Sequence, residues 1–465
     1  MKKYSLIAIL ALAVLYPGFA WLMGFAIESR VSLTAEQLNA QTPYLSVVKQ
    51  QFQRGWFSSV HDVTLAVSAG PLASFPPFAG AGVKTYNKPL QVTVHSVIHH
   101  GPICGPRCLG LARVDSRLLF DDVVRATIAR FYGATEPVTL TSRLGFFGGG
   151  TTMISSPALK QVVLDEGGQF SWDGLELTLA YTNHNDSFDI QGSAPLVTLT
   201  RPDGSHLEVR AITLKSFNKR VLPLLYGSNL DFNIDRIVWS GPQGINSTTI
   251  DRVAYLARTS TEAGFMDMAF QFGSGDINSA SLRLKGVHFD FTLKHLQMQA
   301  LEAINQKMQA LNQQQGGAAA ASSGKLLAAI KGPAVDLLLQ HPEIRFEQVS
   351  VATNTGRALL SGELRLHDVT AADFADDTNP KAPVTKMETD LDLSIDDGAL
   401  AELPGAGSRA DSQLQPMLQQ GFVTHANGRW QTKIRYALGR LTLNGKAFPP
   451  AAGGKTPPPG AGLPQ

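Results

Sequence analysis

The chain reads as an α+β protein, predominantly antiparallel β: an N-terminal transmembrane helix carries a large curved sheet body with a helical insert. Three observations predict this class. Ser5 to Ile27 runs 23 residues without a charge, directly after Lys2-Lys3. Apolar and polar residues then alternate with period two in segment after segment, as expected of sheet with one buried and one wetted face. Helical spacing is concentrated between Lys294 and Gln340.

The N-terminal run is long enough, at about 1.5 Å per residue, to span a hydrocarbon core of roughly 30 Å. Two lysines at its short end favour a cytoplasmic N-terminus, so the body is expected to lie in the periplasm, held to the inner membrane by a single pass. The alternative is a cleaved signal peptide, with Leu6–Leu15 as apolar region and Pro17-Gly18-Phe19-Ala20 before the cut. The apolar run continues past Ala20 through Trp21, Leu22, Met23, Phe25 and Ile27, longer than secretory signals usually are. Residues 1–27 are therefore assigned as cytoplasmic end and anchor.

Leu33 to Phe52 reads as short amphipathic helical segments interrupted near Pro43. Strand alternation follows at Val63/Leu65/Val67, Leu90/Val92/Val94, Leu175/Leu177/Leu179/Tyr181 and Leu230/Phe232/Ile234, all within a β-rich region at 28–293. Near Gly286 the apolar phase slips by one residue, as a β-bulge would make it. Residues 294–345 form the predicted helical insert, with Leu301, Ile304, Met308 and Leu311 on one stripe. An Ala/Ser-rich linker at 318–324 precedes a second helix that Gly332-Pro333 breaks or kinks. Residues 346–448 return to strands at Leu391/Leu393/Ile395 and Ile434/Tyr436/Leu438 and are expected to join the same body. Shorter helices are predicted at Arg117–Phe131 and Arg409–Gln420. The Pro/Gly-rich tail, 449–465, is expected to be disordered.

Composition narrows the function more than it defines it. Forty Lys and Arg against 38 Asp and Glu argue against nucleic acid as a partner. Charged residues are only 17%, while 43 glycines and 26 prolines suit many short strands joined by turns. Two cysteines are too few to staple a body of this size, so its stability must come from burial.

The densest polar segment is His99-His100-Gly101-Pro102-Ile103-Cys104-Gly105-Pro106-Arg107-Cys108. Two histidines and two cysteines are a conceivable metal set, yet adjacent histidines on a strand point to opposite faces and the cysteine spacing is not that of a zinc knuckle. A Cys104–Cys108 disulfide across a Gly-Pro turn is the preferred reading, with free thiols as the other choice. Gly145-Phe146-Phe147-Gly148-Gly149-Gly150 lacks the lysine of a phosphate loop and reads as a turn. Trp56 and Phe57, after Arg54-Gly55, are either groove-lining aromatics or a plug for the sheet core, the plug being preferred. Adjacent acids at Asp121-Asp122, Asp376-Asp377 and Asp396-Asp397 read as turns or helix ends. The nucleophile-elbow and zinc-protease patterns are absent, so no enzyme activity, catalytic residue, metal or cofactor is assigned.

A basic N-terminus with a single anchor, Arg54-Gly55-Trp56-Phe57-Ser58, His100-Gly101-Pro102, and Tyr436-Ala437-Leu438-Gly439-Arg440-Leu441-Thr442-Leu443-Asn444-Gly445-Lys446 together resemble the YdgA/YihF family. These are bacterial inner-membrane-anchored envelope proteins of undefined function. The resemblance implies an inner-membrane protein with a periplasmic body and carries over no catalytic residues. The expected role is non-enzymatic, in envelope maintenance: shielding a lipid-like cargo, docking an envelope protein, or self-associating as a homo-oligomeric assembly factor. A hydrolase with a scattered site is the remaining alternative.

Overall fold

In the computed structural model, which describes residues 20–29, 45–67, 90–105, 108–163, 167–314, 323–374, 385–403 and 407–448, the predicted alternation resolves into antiparallel strands. They fall into two compact units. One comprises Met1–Gly264 with Gln297–Ala334, the other Phe265–Leu296 with Val335–Gln465.

The first unit contains helix α1 (20–29) and strands β1 (Leu45–Arg54), β2 (Ser58–Val67), β3 (Leu90–His100) and β4 (Ala112–Phe120). Helix α2 (Asp122–Tyr132) precedes β5 (Thr139–Leu144), β6 (Gly150–Ser156), β7 (Leu159–Val163), β8 (Gln169–Trp172) and β9 (Leu175–Tyr181). Long strands follow: β10 (Ser187–Thr200), β11 (His206–Leu222), β12 (Leu225–Ser240) and β13 (Thr248–Glu262). Hydrogen-bonded neighbours run β1-β2-β3-β4-β5-β6-β9-β10-β11-β12-β13, with β8 on β10 and β7 on β8.

Register assigns the two faces. Phe52, Ile98, Ala112, Val114 and Leu144 share one face with Ser59, His61, Ser96 and His100. The opposite face is polar: His95 meets Asp62 at 2.7 Å, and Asp115 accepts from Arg113 and Thr141. The apolar face continues as a cross-strand row through Leu140, Ile154, Leu177, Leu214, Phe232 and Tyr255. Ala211 and Arg252 adopt φ of 51° and 52° where the ladders of β10 to β13 skip a pair, which creases these long strands.

Helix α3 (Met298–Gln314) belongs to the first unit and closes the β11–β12 turn. The buried Glu302 accepts the Leu224 N–H at 3.0 and 3.1 Å, while Asn305 Nδ2 donates to the Leu224 carbonyl. The turn thereby has its backbone groups satisfied from a helix nearly eighty residues downstream. Helix α4 (Ser323–Leu338), most of it also in the first unit, carries Pro333 inside it.

The second unit contains β14 (Phe265–Ser274), β15 (Ile277–Asn278), β16 (Arg283–Leu284), β17 (Gly286–Gln297), β18 (Glu343–Ala352), β19 (Arg357–Leu366), β20 (Met387–Asp396), β21 (Thr424–Ala426), β22 (Arg429–Ala437), β23 (Arg440–Leu443) and β24 (Lys446–Ala447). The order β17-β18-β19-β20-β22-β23-β24 is antiparallel throughout. Helices α5 (Asp397–Glu402) and α6 (Gly407–Gln420) belong to this unit as well.

Several expectations are corrected. Leu45–Phe52 is strand rather than helix, because its partner β2 follows across a short turn and pairing outweighs local propensity. The helix expected from Arg117 starts at Asp122, where Asp121 Oδ1 accepts the Val124 N–H as an N-cap; Arg117–Phe120 stays in β4. Lys294–Gln297 remains strand, since Lys294 pairs with Glu343. The phase slip near Gly286 separates β16 from β17, and the register shift in this strand lies at Asp290/Phe291. Of the proposed spanning segment, residues 5–19 lie outside the described residues, as does the 449–465 tail. Among the described residues no helix is long and apolar enough to cross a membrane.

Replacing the buried Glu302 by alanine leaves the half-buried Leu224 N–H without its acceptor and should cost about 1–3 kcal/mol in urea unfolding. Glutamine keeps one acceptor oxygen and should cost less; equal losses for both variants would contradict the turn-closing role.

Candidate functional site

The last residues of the apolar N-terminal run are docked on the sheet. In α1, Ala20, Met23, Gly24 and Ile27 are buried, an i, i+3, i+4, i+7 stripe that presents one helix face to the body. Met23 and Ile27 join Ile98, Leu111 and Ala112 in one cluster, flanked by Phe52, Val114 and Leu144. The other helix face leaves Trp21, Leu22 and Phe25 exposed.

Arg54, the last residue of β1, clasps this helix. Its guanidinium lies 3.6 Å from the Phe25 ring centroid and 5.6 Å from that of Trp21, and Nη1 donates to Glu28 at 3.1 Å. Its planar, delocalised fork suits it to stack and pair at once better than the compact ammonium of lysine. Trp21 also stands edge-on to Phe25 and 6.3 Å from Trp56.

His100 seals the junction from below. Its Nδ1 faces the Trp56 carbonyl at 3.3 Å, and a carbonyl only accepts, so that nitrogen carries the proton. Nε2 is then free to accept from Ser59 Oγ at 2.8 Å. Both side chains are almost wholly buried, at 2% and 1% exposure. Burial pushes the His100 pKa below its ordinary value, against smaller opposing effects of the Trp56 and Ala20 backbone. The nearby Arg54 and His99 charges act in the same direction as burial. A serine hydrogen-bonded to a neutral histidine is the beginning of a nucleophilic site, but here the second nitrogen meets a backbone carbonyl in place of an orienting carboxylate. Gly24 of α1 lies over the ring: a Cβ there would sit 2.9 Å from His100 Cε1. The pair holds the helix.

The glycines of the two N-terminal motifs are required by close approach. A Cβ on Gly101 would fall 1.8 Å from the Gly110 carbonyl oxygen, and one on Gly55 would fall 2.4 Å from that of Ser58. Gly101–Pro102 is cis and opens the β3–β4 hairpin, which is closed by the Cys104–Cys108 disulfide with a Cα–Cα distance of 5.2 Å. His99 points to the opposite face, toward Asp115 at 3.6 Å, so the two histidines and two cysteines do not converge. Among the described residues no group of His, Cys, Asp or Glu could hold a metal ion.

Trp56 and Phe57 are more than half exposed, so neither plugs the sheet core. The short β1–β2 turn throws both rings outward. Gly145–Gly149 is a hairpin turn in which Gly145 and Gly149 pair through their backbones. Asn444 and Gly445, in the second unit, form a two-residue hairpin with φ of 48° and 78°; Asn444 also bonds Lys433 N and the Phe422 carbonyl. Of the adjacent acid pairs, Asp122 pairs with Arg125, Asp396 accepts from Arg429, and Asp397 meets His425. Asp376 and Asp377 lie outside the described residues. A cavity of about 600 Å³ beside Glu136, Ser156, Asp173 and Glu176 lies at the far end of the strands from His100; no histidine lines it, and Glu136 is paired with Arg117 at 3.9 Å.

Sequence reasoning missed Ser59 and Gly24. The 20/23/24/27 stripe was visible only as part of a uniformly apolar run, where helical periodicity cannot stand out.

Residues 1–451 match the model of a family described as bacterial protein of unknown function (DUF945), and the chain belongs to that family. No curated protein and no solved structure matches it.

Two outcomes test the junction. Arg54→Ala should speed amide exchange across residues 20–29 by about tenfold or more, on the order of 1–2 kcal/mol of lost stacking and pairing; unchanged exchange would contradict the clasp. His100, and His61 through its own burial, have pKa values below the unfolded one near 6.5. The unfolded chain therefore binds more protons as pH falls through 6.5, and stability should drop below that pH and be full above it. The His61→Gln/His100→Gln double variant should flatten the profile between pH 8 and 5.

Proposed function

We propose that this member of a bacterial family of unknown function is a non-enzymatic, membrane-anchored envelope protein. Its N-terminal run crosses the inner membrane from a cytoplasmic Lys2-Lys3 end. Its β body lies in the periplasm, where one face of the sheet shields a lipid-like molecule.

The observation that carries this reading is the apolar row Leu140, Ile154, Leu177, Leu214, Phe232 and Tyr255. It extends the face that receives α1 across the long strands, and every one of these side chains keeps part of its surface exposed. Contiguous apolar surface left in water is unfavourable by about 25 cal/mol per Å², so such a face marks a binding surface. The docked helix supports retention of the N-terminal run: Ala20 is fully buried beneath the body, and cleavage there would sever a packed contact. Convergence of the Arg54, Trp56, His100, Gly101 and Pro102 motifs on this junction supports attachment as their role. The likeness of those motifs to YdgA/YihF proteins points the same way.

Alkaline phosphatase fused after residue 60 should be active and a cytoplasmic reporter at the same point inactive; the reverse would refute the topology. Protein purified natively should release lipid or another apolar small molecule on denaturation in mass spectrometry. Phe232→Asp, placing a charge in the row, should abolish that release; a consistently empty native protein would remove the cargo reading.

A further inference from the structure

We infer that the end of the first unit carrying α1 is a bilayer seat: three hairpin tips around the helix dip into the membrane interface beside the N-terminal run. The inference rests on the anchored reading above and goes beyond it, since an anchor alone leaves the body free to hang away from the lipid.

Register places the tips together. Arg54 pairs with Ser59, His99 with Ser58, His100 with Ala112, Ala112 with Leu144, and Leu144 with Gly150. The β1–β2, β3–β4 and β5–β6 connections therefore fall side by side at one end of the strands. Each presents large apolar groups to solvent: Trp56 (64% exposed) and Phe57 on the first, Ile103 and Leu109 (79%) on the second, Phe146 and Phe147 (89%) on the third. Exposed aliphatics scattered singly need no explanation, but three consecutive tips at one end make a continuous rim. The next connection at this end reads Thr182-Asn183-His184-Asn185-Asp186, and the one after it is closed by Glu302. The apolar rim is thus confined to the hairpins beside α1.

The chain enters the body through this rim. Ala20 abuts His100, Trp21 lies near Trp56, and the exposed helix face adds Trp21, Leu22 and Phe25. Tryptophans and phenylalanines around the mouth of an apolar segment match the aromatic belt at a membrane–water boundary. Arg143, exposed beside the third tip, is suited to a lipid phosphate.

Length makes the same demand. Only the 15 residues from Ser5 to Phe19 separate Lys2-Lys3-Tyr4 from the docked helix, and as a helix they reach about 22 Å. The hydrocarbon core is roughly 30 Å thick. The missing distance corresponds to about five more residues, so α1 must enter the lipid to near Gly24. The hairpins flanking those residues are carried in with it, and their outward side chains are the apolar ones.

The test uses the full chain in vesicles of phosphatidylethanolamine and phosphatidylglycerol containing brominated lipid. A bimane label is placed at Phe147→Cys, at Phe57→Cys, and at Asp203→Cys in the turn at the opposite end of the strands. Label fluorescence should be lost to bromine at 147 and 57 and retained at 203. Retained fluorescence at both tips, with the protein still held by the vesicles after an alkaline carbonate wash, overturns the seat and leaves the anchor standing. Release of the protein by the wash overturns the anchor, and the seat with it. Because all three positions are exposed turns, labelling leaves the core contacts of the fold in place.

Discussion

The structure depends on the burial of a four-residue stripe. Ala20, Met23, Gly24 and Ile27 turn the end of an otherwise uniform apolar run into a docked helix, and the surrounding residues exist in this arrangement to receive it. Gly24 must lack a side chain because His100 lies directly beneath it. Burial favours the neutral form of His100, in which Nε2 accepts from Ser59. Arg54 must be planar because it stacks on Phe25 while pairing with Glu28. Hydrophobic burial supplies the attraction; Arg54, through Phe25 and Glu28, and the close approach of Gly24 to the His100 ring set the register.

That constraint explains why motifs separated by almost fifty residues act together. Arg54-Gly55-Trp56 closes the β1–β2 hairpin and His100-Gly101-Pro102 opens the β3–β4 hairpin, and antiparallel pairing of β2 with β3 brings the two turns to the same end. The Asn444-Gly445 motif lies in the second unit and serves a different purpose, stitching β22, β23 and the segment after α6 by the two hydrogen-bonding ends of one amide. The motifs of this chain therefore mark architecture at two places. The electrostatics agree: the charged pairs, such as Arg345–Glu363 and Arg365–Glu388, are spread along exposed strand faces, where each contributes little.

Much of this was legible in the chain. Period-two alternation at Leu175–Tyr181 coincides with a strand, and the turn character of Gly145–Gly149 is that of a β-hairpin. Other parts were illegible for identifiable reasons. β1 lacks clean alternation, and only its long pairing with β2 makes it a strand. Trp56 and Phe57 look like core residues by composition, and nothing local says that a tight turn will point them outward. The Ser59–His100 contact spans 41 positions and follows from register alone. Within 5–27, uniform hydrophobicity masked the docked stripe that begins at Ala20 among the described residues.

The central claim is that the helix after Ala20 belongs to the β body and not to lipid alone. Methyl-labelled, otherwise deuterated full-length protein in protonated micelles addresses it by nuclear Overhauser spectroscopy. The account predicts cross-peaks linking the Met23 and Ile27 methyls to those of Ile98 and Leu111. Cross-peaks from Met23 and Ile27 to detergent chains only, with none to the sheet, would contradict it.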